Sequence, residues 1–127
     1  MEKKFEGIGY LYIFGCIIFT VYGQLIIKWR MKLKGALPEQ LSQKLSFLFK
    51  AFLDPYILTG FFAAFIASIF WMAVMTKFEL SIAYPFMSLA FILVLLLSVF
   101  FLNESMTIGK ILGLLLIITG IYVTVKL

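Results

Sequence analysis

The sequence predicts an all-α integral membrane protein, a four-helix transmembrane bundle expected to work as a dimer. Three observations predict it. Of the 127 residues, 64% are hydrophobic and only 13% are charged, against roughly 45–50% and about 25% in an average soluble domain. A chain this short has too much surface to hide so much apolar side chain within itself, so lipid must be its main solvent. Four separate runs are each long enough to cross a hydrocarbon core about 30 Å thick, which takes roughly 20 helical residues.

The first run spans about Gly7 to Trp29. Lys3 and Lys4 precede it, as in a signal peptide, but it is too long for a signal h-region and no small-x-small site follows. An uncleaved first helix is expected. It leads into Lys28-Trp29-Arg30-Met31-Lys32, an aromatic and basic anchor suited to the membrane interface. The second run spans about Tyr56 to Thr76, the third about Leu80 to Leu102 and the fourth about Ile108 to Val125. None contains Asp or Glu. Lys28 and Lys110 are the only charges inside these limits, and each lies close enough to an end to snorkel.

Lys77-Phe78-Glu79 predicts a tight antiparallel hairpin of the second and third spans, and residues 103–107 predict a similar turn before the fourth. The one long connection, residues 30–55, is basic. Within it, 38–53 opens on Pro38 and carries Leu41, Leu45, Leu48 and Phe52 at helical spacing, with Gln43, Lys44 and Lys50 off that stripe. Two readings are open: an amphipathic helix on the membrane surface, or an early, tilted start to the second span broken at Asp54-Pro55. Seven of the 11 Lys and Arg residues fall on the side of this loop and four on the other. The positive-inside rule then places the loop in the cytoplasm.

Composition removes several function classes. The chain has no histidine, hence no imidazole base and no His-ligated metal. Cys16 stands alone and can close neither an intramolecular disulfide nor a multi-cysteine metal site. No metal site is expected. The net charge of +5 suits anionic lipid beside the spans rather than nucleic acid.

Some polar and small residues inside the spans ask for a role. Thr20, Gln24 and Lys28 recur every four residues and share one face of the first helix. An amide in hydrocarbon must be bonded or hydrated, so Gln24 either glues two helices or lines a cavity; the whole face, ending in a cation, favours the cavity. Pro85 lies one turn into the third span, where it frees a backbone carbonyl, as in the discontinuous helices that flank transporter sites or in a plain packing kink. Gly109, Gly113 and Gly120 notch one side of the fourth helix and suit a subunit interface. Glu104 precedes that helix, where it complements the dipole with Thr107 as cap, or else gates or bonds a polar substrate.

Gly23-Gln24-Leu25 with Lys28, then residues 82–89 (IAYPFMSL), Asn103-Glu104, and Gly113 followed by residues 117–121 (IITGI) occur in that order. Together they resemble the drug/metabolite transporter superfamily, in its four-helix, small-multidrug-resistance-like form with an EamA-type module. The resemblance implies one membrane domain over residues 1–127 and a multi-pass transporter of the inner membrane, not an enzyme and without cofactors. Small multidrug resistance exporters carry a glutamate one turn before the position of Gln24; Thr20 stands there in this chain, which argues against their proton/cation exchange. The strings look more like the subunits that flip undecaprenyl-phosphate-linked aminoarabinose. That likeness implies translocation of a polyprenyl-phosphate-linked sugar or a similar amphiphile, by a homodimer or a pair of similar subunits. Lys28 and Arg30 would then hold the phosphate and Thr20 and Gln24 the sugar, while Trp71, Ser81, Tyr84, Pro85, Ser88 and Glu104 complete the site. A small multidrug or cation exporter and a non-transporting membrane subunit of a glycosyltransferase are the alternatives.

Overall fold

Five helices follow one another in the computed structural model: α1 (Glu2–Lys34), α2 (Leu41–Phe52), α3 (Pro55–Met75), α4 (Leu80–Phe101) and α5 (Ile108–Lys126). The structure describes residues 2–127, with side chains from residue 7 onward, so Lys3 and Lys4 lie outside the described side chains. Four helices are long and apolar enough to cross a membrane: Gly7–Lys34, Pro55–Met75, Leu80–Phe101 and Ile108–Lys126. They match the four expected spans.

One boundary differs from expectation, and one open choice is settled. The first helix continues past Trp29 to Lys34 and stops at Gly35, whose φ of 92° is a left-handed conformation that glycine adopts without a Cβ penalty. The chain beyond Trp29 stays helical because its charged side chains find partners on neighbouring elements, described below. The connecting segment then forms a separate helix, α2, rather than an early turn of the second span. Leu53 ends α2 and Asp54 caps α3, accepting from the backbone N–H of Tyr56 at 2.9 Å and of Ile57 at 3.4 Å. Pro55 follows at the first helical position, where a missing N–H costs nothing.

Packing departs further from the sequence reading. The turn between α3 and α4 is short, with Lys77 and Phe78 N–H groups both donating to the Val74 carbonyl. Beyond it the two helices share little surface, because α1 packs against both of them. The closest approach is between α1 and α3: a Cβ on Gly23 would lie 2.9 Å from the Gly60 carbonyl oxygen. Gly60, Ala63 and Ala67 give α3 a buried row of small residues that admits α1 at this distance. The core is Ile13, Ile17 and Val21 of α1 against Val74 of α3 and Ala83 and Ala90 of α4. At one end Tyr10 meets Phe78 and Phe86, with ring centroids 5.4 and 5.6 Å apart.

Helix α5 packs chiefly on α4 and has no buried residue. The bundle is therefore open along that side. A Cβ on Gly113 or Gly120 would meet nothing within 4 Å, and one on Gly109 only Thr107 Oγ1 at 3.8 Å. Within one chain these notches accommodate no neighbouring helix.

Candidate functional site

The polar face of α1 lines three cavities in succession. The first, of about 420 Å³, lies between α1, α3 and α4 and is bounded by Thr20, Gln24, Ser68, Trp71, Tyr84 and Met87, among others. The second, of about 680 Å³, lies between α1, α4 and α5, where Thr20, Gln24, Tyr84, Pro85 and Ser88 face Ile117, Gly120 and Thr124. The third, of about 280 Å³, is at the charged end and is formed by Gln24, Leu25, Lys28, Val94, Ser98, Leu102 and Glu104. Gln24 belongs to all three.

Among the described residues the Gln24 amide makes no hydrogen bond to the protein and the residue is exposed, so within one chain it joins no two helices. An amide left without a partner at this depth needs water or a polar ligand. Lys28 and Glu104 lie on the same small cavity, yet no ion pair joins them. Neither side chain is ion-paired among the described residues. Trp71 and Tyr84 meet edge-to-face, 5.2 Å between centroids, and form an aromatic wall shared by α3 and α4.

Pro85 lies inside α4, which continues through it to Phe101. Lacking an N–H, it leaves the Ser81 carbonyl without its helical partner. Ser88 Oγ donates to the Tyr84 carbonyl at 3.5 Å, and Ser98 Oγ to the Leu95 carbonyl at 2.9 Å. Glu104 enters the third cavity because Asn103 takes a left-handed φ of 56°, turning the chain after α4. Thr107 Oγ1 caps α5 by accepting from the Lys110 N–H at 3.1 Å, as the sequence predicts.

Of the expected site residues, Thr20, Gln24, Lys28, Trp71, Tyr84, Pro85, Ser88 and Glu104 line this connected set of cavities. Ser81 and Arg30 do not. Arg30 Nη2 instead donates to Asp54 Oδ2 at 2.7 Å, and its guanidinium carbon lies 4.7 Å from the Tyr56 ring centroid and 5.2 Å from that of Trp29. Lys34 Nζ also reaches Asp54 Oδ2, at 3.1 Å, and Lys32 Nζ donates to the Leu102 carbonyl at 2.8 Å. Of the four cations from Lys28 to Lys34, three are thus engaged within the protein and Lys28 alone faces a cavity.

Asp54 is the residue that the sequence reading undervalued. It is the chain's single aspartate, buried at 8% exposure, and it joins α1 to α3 while capping α3. The hydrogen bond from Arg30 holds its carboxyl well below the usual carboxylate range, helped by Lys34 and the N–H groups of Tyr56 and Ile57. The signal was present: the chain's one Asp, set before a Pro at the start of a span, on the same side as the ladder of cations.

An apolar helical bundle with one polar face lining cavities and ending in an unpaired cation has the build of a multi-pass membrane transporter. Comparison with known proteins agrees. The chain belongs to the EamA-like transporter family, whose model matches residues 5–126. It is 34% identical over 118 residues to the probable 4-amino-4-deoxy-L-arabinose-phosphoundecaprenol flippase subunit ArnF of Erwinia tasmaniensis, covering 89% of this chain and 91% of that one. No solved structure matches the chain significantly. The protein is a membrane transporter rather than an enzyme.

Proposed function

We propose that this chain is a flippase subunit that carries a polyprenyl-phosphate-linked sugar, or a similar amphiphile, across the cytoplasmic (inner) membrane. The observation that carries the reading is Gln24, an amide unpartnered by protein and common to three adjoining cavities, with Thr20 on one side and Lys28 on the other. Such a cargo has one anionic phosphate, which stays near the interface, and a sugar that must pass the hydrocarbon. Lys28 matches the phosphate. Thr20, Gln24, Ser88 and Tyr84 supply hydroxyl and amide partners for the sugar, and the Trp71–Tyr84 wall offers a ring face. The lipid tail remains in the bilayer through the open sides of the cavities. Arg30 supports this arrangement from behind, by fixing the end of α1, rather than by touching the phosphate.

The working unit in this reading is a homodimer or a pair of similar subunits, with Gly109, Gly113 and Gly120 of α5 at the contact. The flippase-subunit name of the Erwinia relative supports the cargo class. The linings of the two larger cavities contain no carboxylate, which weighs against proton-coupled cation export. The test is flipping of an undecaprenyl-phosphate sugar in proteoliposomes. Lys28→Ala together with Gln24→Ala should abolish protein-dependent flipping while leaving the protein folded; unchanged flipping would overturn the assignment of the site.

A further inference from the structure

Helix α2 presents three faces, of which one is packed. Phe47 and Lys44 are half-buried and Ala51 is buried, on the side from which Phe52 reaches Phe61 of α3, 5.1 Å between centroids. Next to it around the helix lies an apolar face of Leu41, Leu45, Leu48, Phe49 and Phe52, each between 46% and 71% exposed. Ser42, Gln43, Ser46 and Lys50, all exposed, make the third face. Apart from Phe52, the apolar stripe of the sequence is therefore not the side that packs on the protein. It lies between the packed side and the polar side.

We infer that α2 is an interfacial anchor lying along the lipid headgroup boundary, with the Leu41–Phe52 row in the acyl region and Ser42, Gln43, Ser46 and Lys50 toward water. A lipid surface is the occupant that the position requires. Helix α1 leaves and α3 enters at the same end of the bundle, and the 12 residues of α2 are too few to cross a bilayer. Trp29 and Tyr56, in edge-to-face contact at 5.4 Å, stand at that end, where such rings mark the headgroup level. Charge agrees: α2 carries Lys44 and Lys50 and no acid, as a helix on an anionic leaflet does. The joint to α3 is Asp54, clamped to Arg30 and Lys34 of α1.

The test places a single fluorophore on α2 in a Cys16→Ser chain, through Leu48→Cys or Ser46→Cys, in vesicles of phosphatidylethanolamine and phosphatidylglycerol. The Leu48 label should be blue-shifted, quenched by shallow doxyl lipids and shielded from aqueous iodide, while the Ser46 label stays open to iodide. Leu45→Cys provides a second apolar position should Leu48→Cys fold poorly. Equal iodide access at both faces would overturn the proposal. So would disulfide cross-linking between copies through Leu48→Cys without doxyl quenching, which would give this face to a second subunit. Double replacement of Leu45 and Leu48 by glutamate should lift α2 from the bilayer while Lys28-dependent binding of cargo persists, so the anchor and the transport reading fail separately.

Discussion

Arg30 Nη2 lies 2.7 Å from Asp54 Oδ2, and through this bond the last turns of α1 are tied to the residue that caps α3. Lys34 completes the clamp on the same oxygen, leaving Asp54 Oδ1 to the Tyr56 and Ile57 N–H groups. One buried carboxylate thus settles three elements: where α1 ends, where α3 begins, and how α2 hangs from them.

The clamp predicts an acid-dependent stability difference. Its folded-state carboxyl is depressed below the ordinary range, so its contribution is fully present above a pH of about 4 and is lost as pH falls from there through the folded-state value. Asp54→Asn keeps a capping oxygen but removes the charge. Its melting temperature in detergent should lie below that of the unchanged protein at pH 7, and the gap should close on acidification below pH about 4. A gap independent of pH would show that the ion pairs contribute nothing.

Gly23 and Gly113 should respond oppositely to alanine. A methyl on Gly23 meets the Gly60 backbone oxygen at 2.9 Å, which can move only with the helix, so Gly23→Ala should cost about 1–3 kcal/mol. Gly113→Ala meets open space and should gain up to about 1 kcal/mol of helix propensity in the monomer. Steric-trap or denaturant unfolding in micelles compares the two. Equal effects would contradict the packing described.

If α5 is the subunit contact, its empty notches are where the partner's helix fits. Gly113→Leu with Gly120→Leu should convert dimers to monomers on cross-linking without lowering the unfolding temperature of the monomer, since no residue of α5 is buried within one chain. Dimers that survive the double change would move the interface elsewhere.

The aromatic wall gives a graded prediction for cargo. Trp71→Ala should weaken retention of an undecaprenyl-phosphate sugar in native mass spectrometry by roughly tenfold, the order seen when a central aromatic anchor is lost, and Trp71→Phe should restore part of it. Arg30→Ala, outside the cavities, should lower stability more than retention. Lys28→Ala should do the reverse.

Much of this was legible in the sequence. Four spans, their limits within a few residues, the polar face of α1 and the cap at Thr107 follow from hydropathy, helical periodicity and local capping chemistry, all of which act over a few neighbouring residues. That Thr20, Gln24 and Lys28 share a face is a matter of pitch alone. What they face is not. Only tertiary packing placed Gln24 on three cavities without a protein partner, gave Arg30 to Asp54 and left Lys28 free. Those outcomes depend on which helices meet. The meeting of α1 with α3 rests on two glycines 37 positions apart, Gly23 and Gly60, and the clamp on Arg30 and Asp54, 24 apart. Periodicity carries no information over such separations: it fixes the direction of a side chain on its own helix, whereas the neighbour it finds is chosen by close packing and by the need to pair buried charge.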